Sequence, residues 1–206
     1  DNSVQAYIRD IKKFANYAIP LKLNELKIQR ENISDFLADL KVDGIAARSQ
    51  ARIISGIKAF YKYLIIEDYI KYDPTELIES PKVGFKLPDT LSLIEIDKLI
   101  SAVDLSNKQG ERNRAILETL YSCGLRVSEL TNLKISNIYF NEGYLKVIGK
   151  GDKERLAPIG GRALKYLTTY INEVRNHQNI KKGQEDFLFL NNRGTGLTRV
   201  MIFLII

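Results

Sequence analysis

The sequence is poor in residues that make crosslinks, bind metals or form flexible spacers. In 206 residues it has one cysteine, no tryptophan, one methionine, one histidine and five prolines. The lone Cys123 excludes a disulfide framework and a cysteine metal site, and a reducing cytoplasm is the compartment expected by default. No signal peptide, internal repeat or low-complexity tract is visible. The apolar run Val200-Met201-Ile202-Phe203-Leu204-Ile205-Ile206 has seven residues, far short of the roughly 20 that cross a bilayer as a helix. The first residue is Asp1 and the last lies in that run, so the sequence reads as a chain cut inside a buried element.

What is present suits a packed, basic protein. Apolar residues make up 45% and the net charge is +6, which permits a nucleic-acid partner without requiring one. Residues 1–90 hold 14 Lys/Arg against 13 Asp/Glu, and residues 91–206 hold 17 against 12. A basic surface in the first part must therefore come from one-sided placement.

Apolar residues recur at helical spacing over 3–18 (Val4, Tyr7, Ile8, Ile11, Phe14) and over 31–40 (Ile33, Phe36, Leu37, Leu40). A third helix, about 46–67, turns Ile53, Ile57, Phe60, Tyr61 and Leu64 inward. Its other side presents Arg48, Arg52, Ser55, Gly56, Ala59 and Lys62, basic residues flanking small ones that would let a helix approach a DNA groove. A solvated face of the same composition is the bland alternative. Residues 68–78 read as a short helix or turn, and the segment Ser80 to Pro88, with its two lysines, glycine and prolines, as an extended linker.

Ser92-Leu93-Ile94-Glu95 has the capping-box pattern that opens a helix. A second helix over 112–122 is broken by Gly124, and a short one follows over 127–133, leaving Arg126 at the junction, aimed but reachable. Tyr139-Phe140, Tyr144–Ile148 and Arg155–Ile159 read as a small antiparallel sheet, with Lys150 at the start of its second connection. Helical spacing returns over 162–176, and residues 186–190 form a short extended run. His177, in a polar helix end with Arg175 and Asn176, reads as solvated.

Two motifs stand at a telling distance: Thr119-Leu120-Tyr121 with Gly124-Leu125-Arg126-Val127-Ser128-Glu129-Leu130, and Val147-Ile148-Gly149-Lys150-Gly151-Asp152-Lys153-Glu154-Arg155. A guanidinium in a tight bend followed by a lysine at a hairpin tip suits a phosphate: the first forks onto two oxygens and the second can give up a proton. Together these motifs resemble the tyrosine recombinase (phage integrase) family, near its Xer branch. Ala51-Arg52, Ser55 and Lys58-Ala59-Phe60-Tyr61 are similar to that family's DNA-facing helix.

The resemblance implies a mainly α fold. Residues 1–81 would form a four-helix, SAM-like core-binding domain and residues 82–90 a linker. Residues 91–206 would be the first part of an α-helical catalytic domain with its small antiparallel sheet. It also implies Arg126 as a catalytic arginine, Lys150 as the catalytic lysine and Glu129 as the residue orienting Arg126. Arg48, Arg52, Ser55, Lys58, Lys62, Lys153 and Arg155 would contact double-stranded DNA. The implied chemistry is transesterification through a 3′-phosphotyrosyl link, which stores the bond energy and needs no ATP, cofactor or metal.

The implied assembly is a recombinase tetramer on two DNA sites, with a second recombinase and a septal DNA translocase as partners, and no membrane. The work would be chromosome-dimer resolution, plasmid resolution or mobile-element integration. The family's second block, His-x-x-Arg followed by a His or Trp and the nucleophilic Tyr, has no counterpart here. It belongs beyond Ile206, so residues 1–206 alone are expected to lack the nucleophile and be inactive. The alternatives are a non-cleaving DNA-binding relative with an accessory or regulatory role, and a basic helical interaction module.

Overall fold

The structure, a computed structural model, describes residues 2–85 and 87–206. It forms two compact units, Asp1–Pro88 and Asp89–Ile206. Among the described residues no helix is long and apolar enough to cross a membrane.

The first unit contains helices α1 (Asn2–Ala18), α2 (Arg30–Val42) and α3 (Ala47–Ile66). Its core gathers Ile33, Phe36 and Leu40 from α2 and Ile53, Ile57, Tyr61 and Leu64 from α3 as the periodicity predicts, but only Phe14 of the expected α1 stripe: Tyr7 and Ile11 are half-buried, and Val4 and Ile8 are exposed. Ile28, Ile70 and Ile78 from the connections complete it. The segment 68–78 is made of turns rather than a fourth α-helix. Asp73 accounts for part of this, because its carboxylate accepts both the amide and the hydroxyl of Thr75, holding a turn where a helix would need those groups elsewhere.

Gly56 departs from the sequence reading. It is buried, not presented with the basic residues of α3, and a β-carbon there would lie 3.3 Å from Asp10 Cβ and 3.6 Å from Tyr7 Cα. The small residue lets α1 approach α3, not a groove.

The second unit opens with α4 (Leu93–Ser101), whose Ser92–Glu95 capping box is formed on both sides. Helix α5 (Gly110–Cys123) ends at Gly124, which takes the left-handed conformation, and α6 (Val127–Thr131) follows. Three antiparallel strands, β1 (Ile138–Tyr139), β2 (Tyr144–Ile148) and β3 (Glu154–Pro158), pair in the order β1-β2-β3. Val147 stands opposite Arg155. Helix α7 (Gly161–Thr169) widens into a π-turn over Tyr170–Val174 instead of continuing as α-helix to 176. Helix α8 (Arg199–Phe203) ends the described chain's regular structure.

Leu130, Leu133, Leu145, Val147, Leu167 and Phe189 lie in one core. The apolar run from Val200 divides: Ile202 is buried in that core, while Val200, Phe203, Leu204 and Ile206 are exposed. Arg162 ties three helices of this unit, donating to Asp97 of α4 and to the buried Glu118 of α5 from its place on α7.

The extended run 186–190 is held by two buried arginines. Arg175 donates to the carbonyls of Glu185, Phe187 and Leu188, and Arg112 to the carbonyl of Leu190. Burial pulls both guanidiniums below their usual pKa, and these bonds satisfy donors that would otherwise be costly to bury.

The loop after this run places Gly194 at φ +74°, where a β-carbon would clash with the Asn179 carbonyl oxygen. Gly194→Ala is expected to destabilise the unit by about 3 kcal/mol through overpacking and left-handed strain. Gly124→Ala, at φ +55° with open space around it, should cost only about 1 kcal/mol. Thermal unfolding of the two variants checks this; equal losses would mean that the contact at Gly194 is relieved by loop movement.

Candidate active site

The site starts from the way α5 ends. Gly124 turns the chain, Leu125 is buried as an anchor, and Arg126 takes an extended conformation as the residue before α6. A helix this short leaves its first amides without partners, and Glu129, at its third position, supplies one. The carboxylate reaches back to accept the Arg126 amide at 2.9 Å. It also accepts the Arg126 guanidinium, Nη1 to Oε1, at 2.8 Å. The same carboxylate thus fixes the backbone of Arg126 and aims its side chain.

The exposures of the two residues differ sharply. The Glu129 side chain is 2% exposed and that of Arg126 76%. An acid lies beneath the surface while the base it orients faces outward with most of its fork free for another anion. Burial pushes the Glu129 carboxyl up, but hydrogen bonds from Arg126 and Arg155 pull it down further, leaving it below the usual carboxylate range. The pair is therefore fully charged near neutral pH. Its contribution to stability is present above the ordinary glutamate pKa and is lost as pH falls through the lower folded value.

Lys150 lies in the turn between β2 and β3. The Gly149 amide donates to the Lys153 carbonyl at 2.8 Å and closes the hairpin, with Gly151 and Asp152 at positive φ within the tip. Lys150 and Lys153 are both exposed. The hairpin comes close to the Arg126 support, since a β-carbon on Gly149 would lie 3.5 Å from Glu129 Oε1. Lys150 thus begins one residue from the carboxylate that holds Arg126. A recess of about 330 Å³ adjoins this point, with Glu129, Asn132, Lys134, Lys146 and Gly149 among its lining.

Arg155, expected to face DNA, is partly engaged. From β3 it donates Nη2 to Glu129 Oε2 at 2.9 Å, with 41% of its side chain exposed. The sequence reading missed this contact, which spans 26 positions and joins two elements that no periodicity relates.

In the first unit, Arg48, Arg52, Ser55 and Lys62 are exposed on α3 and Lys58 is half-buried. Their spacing of three and four residues puts Arg48, Arg52, Ser55, Ala59 and Lys62 on one face. Two of these groups have local roles. Arg52 Nη1 donates to Asp10 of α1 at 2.8 Å, where Asp10 is 5% exposed and Arg52 46%. The Ser55 hydroxyl donates back to the Ala51 carbonyl at 2.9 Å. His177 is exposed, as its polar neighbours suggest. Among the described residues no cluster of His, Cys, Asp and Glu could hold a metal ion.

The sequence matches the phage integrase family over residues 90–206 and the phage integrase N-terminal SAM-like domain over residues 1–68. It is 42% identical over 207 residues to the tyrosine recombinase XerD of Staphylococcus haemolyticus, covering 100% of this chain and 70% of that one. A structure of the XerH site-specific recombinase bound to a palindromic difH substrate, a post-cleavage complex, aligns with a TM-score of 0.77 and 22% identity. The alignment covers 96% of this chain and 59% of that one. A lambda integrase tetramer bound to a Holliday junction aligns with a TM-score of 0.71 and 20% identity over 98% of this chain and 57% of that one. With both of its units matched by family models and a relative 42% identical along its whole length, the chain belongs to the phage integrase family, the tyrosine recombinases.

Proposed function

We propose that this protein is a site-specific DNA recombinase that cuts and rejoins double-stranded DNA through a 3′-phosphotyrosyl intermediate, in the manner of an Xer enzyme resolving chromosome dimers. The observation that carries this reading is the exposed Arg126 guanidinium, held from below by the buried Glu129 with the Lys150 hairpin alongside. Arg126 takes the non-bridging oxygens of the scissile phosphate and stabilises the charge that grows there. As the tyrosine hydroxyl loses its proton to water and its oxygen bonds to phosphorus, the bond to the 5′-oxygen breaks and Lys150 gives that oxygen a proton.

Four such protomers act on two DNA sites, a reading supported by the lambda integrase structure, which is a tetramer bound to a Holliday junction. A second recombinase and a septal DNA translocase are the expected partners, and mobile-element integration is the neighbouring use of the same chemistry. A non-cleaving accessory role has less support, because the arginine, lysine and glutamate are all in place. The test is a nicked suicide substrate carrying the site: the full-length protein should become covalently joined to the 3′ end through a tyrosine. Binding without any covalent product would favour the accessory role.

The α3 face supplies a separate expectation. Arg48, Arg52, Lys58 and Lys62 contact phosphates, so affinity for a duplex should fall steeply with salt, and each charge removed should lower the salt slope by about one. Arg52→Ala should also destabilise the first unit, by about 2 kcal/mol, since it leaves Asp10 buried without that partner. Adding Asp10→Asn should restore stability but not binding, and His177→Ala should change neither. If the double variant binds as tightly as wild type, Arg52 serves only the α1–α3 contact.

A further inference from the structure

We propose that Arg155 is a positioning residue: through Glu129 it locks the start of α6, and with it Arg126, to the β2–β3 hairpin that carries Lys150. The inference rests on the function proposed above. It replaces the reading of Arg155 as a DNA contact with one drawn from the geometry around a single carboxylate.

Glu129 serves three donors at once. Oε1 accepts Arg126 Nη1 at 2.8 Å, while Oε2 accepts the Arg126 amide and Arg155 Nη2, each at 2.9 Å. Two of these bonds belong to α6 itself and would survive without Arg155. The third crosses to β3 and is the polar tie between the arginine's support and the hairpin. It enters β3 opposite Val147, two residues before Gly149, and a β-carbon on Gly149 would lie 3.5 Å from the other oxygen of the same carboxylate. Loss of the Arg155 guanidinium would leave Arg126 capped and aimed but free the hairpin to drift relative to it. Two groups that must meet one phosphate tolerate little drift, since a displacement of about 1 Å costs on the order of a hundredfold in rate.

The two roles for Arg155 predict different measurements. In the full-length protein, Arg155→Met should lower single-turnover cleavage at saturating suicide duplex by about a hundredfold. Affinity should stay within about threefold and the salt slope should be unchanged. Arg155→Lys, which can still reach the carboxylate with one donor, should regain at least about tenfold of that loss. A phosphate contact would show the opposite: weaker binding, a salt slope lower by about one and an unchanged saturating rate. That result, or wild-type cleavage by Arg155→Met, overturns the proposal.

If wild-type protein cleaves nothing, the proposed function has failed, and an NMR titration of the free protein still decides the bridge. The Glu129 carboxyl faces Arg126 from α6 and Arg155 from β3, with Lys134, Lys146 and Asp152 lining the recess beside it. It should titrate at higher pH in Arg155→Met than in wild type. Equal titration in the two overturns the bridge, and should Arg155→Met fail to fold, Arg155→Lys and Arg155→Gln carry the same comparison.

Discussion

Arg126→Ala in the full-length protein is expected to lower strand cleavage by about a thousandfold or more while leaving affinity for the DNA site within a few-fold. The size follows from its proposed role: a donor aimed at charge that develops only in the transition state is worth on the order of 10²–10³ in rate. A fully charged, forked donor belongs at the upper end of that range or beyond. Binding is spared because one phosphate contact among many supplies little of the total, and the salt slope should fall by only about one.

The fold should also be spared. The Arg126 side chain is 76% exposed, and the amide that Glu129 caps belongs to the backbone and remains in the alanine variant. Glu129 keeps its bond from Arg155, so no buried carboxylate is stranded. Arg126→Lys should recover little, since an ammonium cannot hold Glu129 and fork onto two phosphate oxygens together. A cleavage rate within tenfold of wild type, measured at saturating DNA, would remove Arg126 from the chemistry. A loss explained wholly by weaker binding would make it a docking residue.

Much of this arrangement could be read from the chain because its signals are local. Ser92 and Glu95 announce α4 within four residues, and their capping box is formed. Gly124 ends α5 by a backbone conformation that glycine adopts without penalty. Glu129 lies three positions from Arg126, so the first turn of α6 alone brings them together. The hairpin follows from alternating residues around a glycine-bearing turn.

What escaped the sequence reading depends on contacts across long separations. Arg112 meets the Leu190 carbonyl 78 positions away. A charged residue at a helix start reads as solvated until its distant acceptor is known. Arg175, set among polar neighbours, is buried for the same reason. Helical periodicity told which face of α3 is polar, but not that Gly56 and Arg52 both meet Asp10 of α1. Arg155 was legible as a cation beside the hairpin, and its partner Glu129 was legible as a support for Arg126. Only folding joins them. The local pair of Arg126 and Glu129 was thus visible, and its long-range tie to Arg155 was not.

Lys150→Ala should slow cleavage by about a thousandfold on an ordinary phosphodiester, and a substrate with sulfur at the 5′-bridging position should abolish most of that loss. General acid catalysis contributes about 10²–10⁴ where the leaving group needs a proton. An alkoxide leaves poorly without one, whereas a thiolate leaves readily, so sulfur substitution removes the need for the group that alanine deletes. The proposed role needs an accessible lysine, and Lys150 is exposed at the tip of a hairpin closed by the Gly149–Lys153 bond. A β-carbon on its preceding residue, Gly149, would lie 3.5 Å from the carboxylate that aims Arg126.

The same substrate discriminates between the two cations. In the proposed mechanism Arg126 stabilises charge on the non-bridging oxygens, which sulfur at the bridging position leaves unchanged, so Arg126→Ala should stay impaired on both substrates. Comparison of wild type, Lys150→Ala and Arg126→Ala on the oxygen and sulfur substrates therefore separates proton donation from charge stabilisation in one experiment. Rescue of both variants would mean that neither role is specific. Failure to rescue Lys150→Ala would place the lysine on the non-bridging oxygens beside Arg126 and leave the leaving-group proton to another residue.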